Sequence, residues 1–297
     1  MSSYIQGVRW FLLSCVVSVL NDTLIKVTGQ RLPGIEVAFL RFFFSMLVLI
    51  PFVVQAGRSF FKTSHLRIHG LRSLFLFLAL APWCYGVISL PLSLVTTLSF
   101  TTPLFVLLLS AIFLKESVGL QRMFATLLGF VGILVSVGPF SFNLNGAALL
   151  LVASTVLFAS LDVMNKKLLI QNEGLLSMLF FSAVGTTLLS APFAFSVWVM
   201  PNLFELGTMF VLGIGANLIL FCLLKAFQFC DVSSLQPMRY AELLISSCIG
   251  FVLFQEVPSI TTLGGAALII PATLYIVRFE IARKKKGAPE VKVQAAS

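Results

Sequence analysis

The sequence predicts an all-α integral membrane protein: ten transmembrane helices arranged as two inverted five-helix repeats. Three observations predict it. Apolar runs are long and uncharged, basic residues are unevenly distributed, and polar residues recur at one fixed offset. Of 297 residues, 59% are hydrophobic and 10% are charged, with a mean hydropathy of +1.04. The stretches from Met123 to Leu161 and from Gly174 to Met200 carry no charge. A helix needs about 20 apolar residues to cross a bilayer. Within lipid every backbone polar group must be paired internally, so a span is a helix or part of a closed barrel. Barrel strands alternate polar and apolar residues. These runs do not, so they read as helices.

In order, the spans fall at roughly 7–27, 34–56, 71–89, 93–114, 120–138, 146–167, 175–199, 206–226, 233–254 and 259–278. The connections are short, leaving no room for a soluble domain. No cleavable signal peptide is expected, because the first run lacks a small-residue cleavage site and leads into Asn21, Asp22 and Lys26. Residues 280–297 read as a basic, disordered cytoplasmic tail.

The formal charge of +9 does not indicate nucleic acid. With the N-terminus in the cytoplasm, only Lys26, Arg31, Arg41 and Arg239 among the basic residues fall away from cytoplasmic segments. That is the positive-inside pattern. It places both termini in the cytoplasm and makes Lys166, Lys167 and the Arg283 to Lys286 cluster markers of topology. His65 and His69 read as parts of a cytoplasmic loop. The five cysteines have no metal-ligand or redox spacing, and no cofactor or metal is expected.

At an offset of 140 residues, Asp22 and Lys26 meet Asp162 and Lys166. Ser93 meets Ser233, Phe100 meets Tyr240, and Glu116 meets Glu256. This divides the chain at 1–140 and 141–279. Five spans is an odd number, so the second copy enters the membrane from the opposite side. Inverted repeats of this kind build secondary transporters, with substrate held near the midplane.

Several segments resemble the EamA-type members of the drug/metabolite transporter superfamily. They are Phe39-Leu40-Arg41-Phe42, the run from Ser93 to Glu116 with its central Pro103, and the paired Gly129/Gly132 and Gly264/Gly265. The resemblance implies a ten-helix secondary carrier in a bacterial inner membrane. The run Gln236-Pro237-Met238-Arg239-Tyr240 resembles the subgroup that takes up S-adenosylmethionine. It implies import of that compound, in exchange for S-adenosylhomocysteine. One departure is Phe181, which stands in the second half where the first has Arg41.

Charges at membrane depth are costly and face a cavity or a partner. Arg239 and Glu242 lie three residues apart, on one stripe of a continuous span 9 with Gln236 and Ser246. They read either as a self-neutralising pair or as partners for a substrate carboxylate and cation. Asp22, with Asn21 beside it, meets substrate or pairs with Lys26 one turn on. Asp162 repeats that position in span 6. Arg41 has no acidic neighbour on its own face. Guanidinium suits a carboxylate, from substrate, Asp22 or Glu242. Trp83, Tyr85 and Tyr240 offer aromatic faces to an adenine or a sulfonium, or simply pack. Pro237 and Pro103 interrupt spans and are candidate hinges.

The chain has no phosphate-binding glycine loop, so direct use of ATP is not expected. An intramembrane enzyme is disfavoured, because no metalloprotease motif or catalytic aspartate pair occurs. A channel is disfavoured by the internal two-fold pattern. Amino acids, nucleosides and cationic drugs remain alternative cargoes, and ten spans suffice for a monomeric path.

Overall fold

The computed structural model describes residues 3–28, 31–57, 63, 65–89, 98–137, 146–254 and 260–285. Among these the helices are α1 Ser3–Thr28, α2 Gly34–Ala56, α3 Leu66–Ser89, α4 Thr102–Leu109, α5 Leu120–Val137, α6 Gly146–Ile170, α7 Leu175–Ser196, α8 Leu203–Phe229, α9 Val232–Arg239, α10 Ala241–Phe254 and α11 Ile260–Lys285. Helices α9 and α10 are two parts of one crossing, so the described residues make ten crossings. Seven helices are long and apolar enough to span a bilayer. The segments Thr102–Leu114 and Leu120–Val135 are shorter apolar helices.

Local chemistry sets several ends. Asn202 caps α8 with a reciprocal box: its side chain accepts from Glu205 N at 2.9 Å, and Glu205 Oε2 accepts from Asn202 N at 2.7 Å. The crossing begun by α4 widens into a π-turn over Ser110–Leu114. It stops at Lys115, whose φ of 54° is left-handed.

Which helices touch which is nearly two-fold. Helix α1 packs on α8, as α3 packs on α6. Helix α2 packs on α8, as α3 packs on α7. Helix α4 packs on α6, as α1 packs on α9 and α10. The pairs α2 with α7 and α5 with α11 map onto themselves when each crossing is exchanged for the one five later. Lipid tails are as apolar as leucine, so close packing and polar contacts, more than hydrophobicity, hold such helices together. The outward surface is apolar, with Phe113, Phe124, Leu188 and Phe204 well exposed.

Several expectations need correction. The crossing expected at 233–254 is interrupted at Tyr240, so Gln236, Arg239, Glu242 and Ser246 share no continuous stripe. The crossing expected at 93–114 is likewise interrupted: Leu98 and Ser99 are helical, Phe100–Thr101 form a turn, and helix resumes as α4 at Thr102. Pro103 therefore occupies the first turn of α4, where proline loses nothing. His69 is not in a loop, because α3 starts at Leu66 and buries it. The expected tail is helical as far as Lys285, and its Glu280 is buried. Ser93 and Glu256, two members of the offset pattern, lie outside the described residues.

Candidate functional site

A chain of five ionisable side chains runs through the middle of the bundle. Arg239, at the end of α9, donates from Nη2 to Asp162 Oδ2 of α6 at 2.7 Å, and its guanidinium lies 5.7 Å from the Phe11 ring centroid. Glu242 opens α10 just past the break. It lies in the electrostatic field of Arg239, Asp162 and Asp22, with the Cys15 thiol of α1 within hydrogen-bonding reach. Asp22 accepts from Trp83 Nε1 of α3 at 3.5 Å, and Arg41 of α2 is its cationic neighbour. The order is Arg41, Asp22, Glu242, Arg239, Asp162: three carboxylates and two guanidiniums contributed by both halves.

The break in the ninth crossing makes this order possible. Pro237 lacks the N–H that a turn of α9 would use, and its own carbonyl accepts from Thr273 of α11 at 3.4 Å. The helix ends two residues later, which sends Arg239 across to Asp162. Glu242 is left on the other side of the break. Arg239 and Glu242 are thus not a self-neutralising ion pair. The turn at Phe100 in the fourth crossing is the counterpart at offset 140, and the Phe100 and Tyr240 rings touch with centroids 5.7 Å apart.

Other sequence candidates sit elsewhere. Tyr240 is fully buried with Phe100, Ile133, Leu243 and Ile269, so it packs the core. Its hydroxyl has no partner among the described residues. Tyr85 is 54% exposed on the same stripe of α3 as Leu71, Leu74 and Leu78, which is a lipid-facing position. Asn21 is buried against α8 at Gly215, where an added Cβ would stand 2.5 Å from Asn21 Oδ1. Gln236 donates to Val232 O of its own helix at 3.0 Å. Trp83 joins the site through Asp22. The Lys26 side chain lies outside the described residues, so its pairing with Asp22 is not described.

A second network closes the face of the bundle that holds residue 3. Arg122 of α5 is buried. It donates to Glu280 Oε1 of α11 at 2.7 Å, Asp231 Oδ2 at 2.9 Å and Ser233 Oγ at 2.7 Å. Asp231 is the residue before α9, yet its side chain caps nothing. Glu116 of the other half takes that role, accepting from Val232 N at 2.9 Å and Ser233 N at 3.0 Å. Lys166 is not a surface charge: it is buried and donates to Phe227 O at 2.6 Å and Cys230 O at 2.9 Å, at the end of α8. Tyr4 donates to Ser234 O at 3.2 Å. On the same face His69 lies 3.3 Å from Glu173 and 3.2 Å from Arg72 Nη1. On the opposite face Arg31 pairs with Glu205, and Glu36 accepts from Val199 N at 2.9 Å. Sequence reading missed the Arg122 network. One signal was present: Glu116 and Ser233 are both members of the offset pattern, and they pair across halves.

The fold and this site define a multi-pass membrane carrier with a charged central path. Residues 5–138, the first five crossings, match the EamA-like transporter family. An S-adenosylmethionine uptake transporter of Rickettsia bellii (strain RML369-C) is 45% identical over 280 residues, 94% of this chain and 96% of that protein. One of Rickettsia prowazekii (strain Madrid E) is 44% identical over 280 residues, 94% and 95%. A solved crystal structure at 21% identity superposes with a TM-score of 0.75, covering 96% of this chain and 98% of its own, and attests the fold alone. The chain belongs to the EamA-like transporter family.

Proposed function

We propose that this chain is a secondary carrier, not an enzyme, that takes up S-adenosylmethionine across a bacterial inner membrane by alternating access. S-adenosylhomocysteine is the exchange partner. Both termini face the cytoplasm, residues 1–140 and 141–279 are the two inverted repeats, and one copy of the chain suffices for transport without any nucleic-acid partner. The observation that carries the reading is the surplus carboxylate in the central chain. Among the described side chains, Asp22, Asp162 and Glu242 face Arg41 and Arg239, one more carboxylate than guanidinium, so this set of five carries one net negative charge when all are ionised. An uncompensated charge at membrane depth costs on the order of 3 kcal/mol. S-adenosylmethionine carries a carboxylate, an ammonium and a sulfonium, hence one net positive charge, and its entry neutralises the path. The relatives named for this substrate support the same reading.

The residue-3 face is the cytoplasmic one on the distribution of basic residues, so the Arg122 network shuts the cytoplasmic side. The experiment is uptake of labelled S-adenosylmethionine into proteoliposomes, preloaded or not with S-adenosylhomocysteine. Saturable uptake, raised by preloading and lost in Glu242→Gln, is expected. Absence of uptake by correctly folded wild type would refute the substrate.

A further inference from the structure

Among the arginines inside the bundle, Arg41 is the exception. Arg72 bonds to His69 and Met178 O, Arg122 to Glu280 and Asp231, and Arg239 to Asp162. Arg41 is only 8% exposed, yet it donates no hydrogen bond to a described residue and has no carboxylate within 4.0 Å among them. Its Nε is buried and unpartnered. Asp22 acts on it electrostatically from beyond ion-pair distance, and among the described residues Asp22 itself accepts only the long bond from Trp83. A buried guanidinium without a partner is expensive, and its planar fork matches a carboxylate. The neighbouring Asp22, with room for a further donor, matches an ammonium.

We infer that Arg41, Asp22 and Trp83 form a subsite for an α-ammonium-carboxylate group, with Arg41 selecting the carboxylate and Asp22 taking the ammonium. The inference rests on the transport reading above. It assigns the fixed cation of the cargo to Glu242, at the far side of Asp22. A sulfonium has no N–H or O–H to donate, so it needs charge, not a hydrogen-bond acceptor. Glu242 supplies that charge from beside the Cys15 thiol of α1. The counterpart of Arg41 in the second half is Phe181. The carboxylate subsite therefore exists once, and the cargo keeps one orientation, amino-acid end toward α2, in every state of the cycle.

The test is competition in the same proteoliposome assay between S-adenosylmethionine and its decarboxylated analogue, which keeps the adenine, sulfonium and ammonium. Wild type should favour the carboxylate-bearing compound by about ten- to hundredfold, the range of a charged hydrogen bond. Arg41→Gln should lose that preference, and Arg41→Lys should restore part of it. Should Arg41→Gln not reach the membrane, Asp22→Asn with Arg41→Gln removes both charges and should likewise show no preference. Equal competition by the two compounds in wild type would overturn the inference, as would an undiminished preference in Arg41→Gln. Either result with robust wild-type uptake refutes the subsite alone. Absence of wild-type uptake removes the substrate and the subsite together.

Discussion

Replacing Arg122 with glutamine should open the face of the bundle that holds residue 3, the one we propose to be cytoplasmic. The Arg122 side chain joins α5 to α11 through Glu280 at 2.7 Å, and to the start of α9 through Asp231 at 2.9 Å and Ser233 at 2.7 Å. Asp231 and Ser233 belong to the second half and Glu280 to α11, its last crossing, whereas Arg122 belongs to the first half. Removing one partner of a buried ionic group costs about 3–5 kcal/mol, because the charges left behind are uncompensated. An inward-open state hydrates Glu280 and Asp231 and escapes that cost, so the variant shifts the equilibrium toward it. At about 1.4 kcal/mol per tenfold, the shift is on the order of a hundred- to a thousandfold. The reporter is Ser234→Cys, buried beneath the network next to the Tyr4 contact. An impermeant maleimide is applied to inside-out vesicles, and modification at position 234 is read by peptide mass spectrometry. Labelling should accelerate at least tenfold in Arg122→Gln. Unchanged labelling in a folded variant would refute the assignment of this network as the closure of the cytoplasmic face.

Three further outcomes are expected. Asp162→Asn strands the half-buried Arg239 and should lower thermal stability, by about 2–3 kcal/mol. Adding Arg239→Gln should recover most of it without recovering uptake, as followed by thermal unfolding alongside flux. Gly213→Ala should destabilise the fold by about 1–3 kcal/mol, because a Cβ there would stand 2.7 Å from Ser45 N and 2.8 Å from Phe44 Cβ of α2. An unaltered melting temperature would contradict this close approach. Tyr85→Ala should leave the KM for uptake unchanged, since the ring faces lipid; a several-fold rise would return Tyr85 to the transport path.

The number of crossings, their approximate limits and the family were legible in the sequence, because hydropathy and internal backbone pairing dictate both. Asp22, Asp162, Arg239, Glu242 and Arg41 were legible as a set, because charge inside an apolar span stands out. Their pairing was not. Arg239 and Glu242 look like neighbours on one helix only while span 9 is continuous, and the break at Tyr240 comes from packing against Phe100 and from Pro237. Tyr85, Asn21 and Tyr240 could not be sorted by residue type, since an aromatic or an amide serves lipid, helix contact or substrate equally well. Lys166 and Arg122 counted as topological charges, because a basic residue near a span end gives no sign whether it meets water or buried carbonyls.

The Arg122 network also makes the two ends of the transport cycle unequal. Shifted by 140 residues, Arg122, Asp231 and Glu280 fall on Thr262, Pro91 and Phe140, none of them ionisable, whereas Glu116 and Ser233 fall on Glu256 and Ser93. The residues of the backbone cap thus recur in both halves of the sequence, whereas the Arg122 lock has no offset counterpart, and the pair that crosses the halves on the opposite face, Arg31 with Glu205, is built from other positions. The two faces are therefore held by unrelated contacts, the buried Arg122 with its acceptors on one and the exposed Arg31 with Glu205 on the other. Either face can therefore be loosened by substitution without touching the contacts that hold the other.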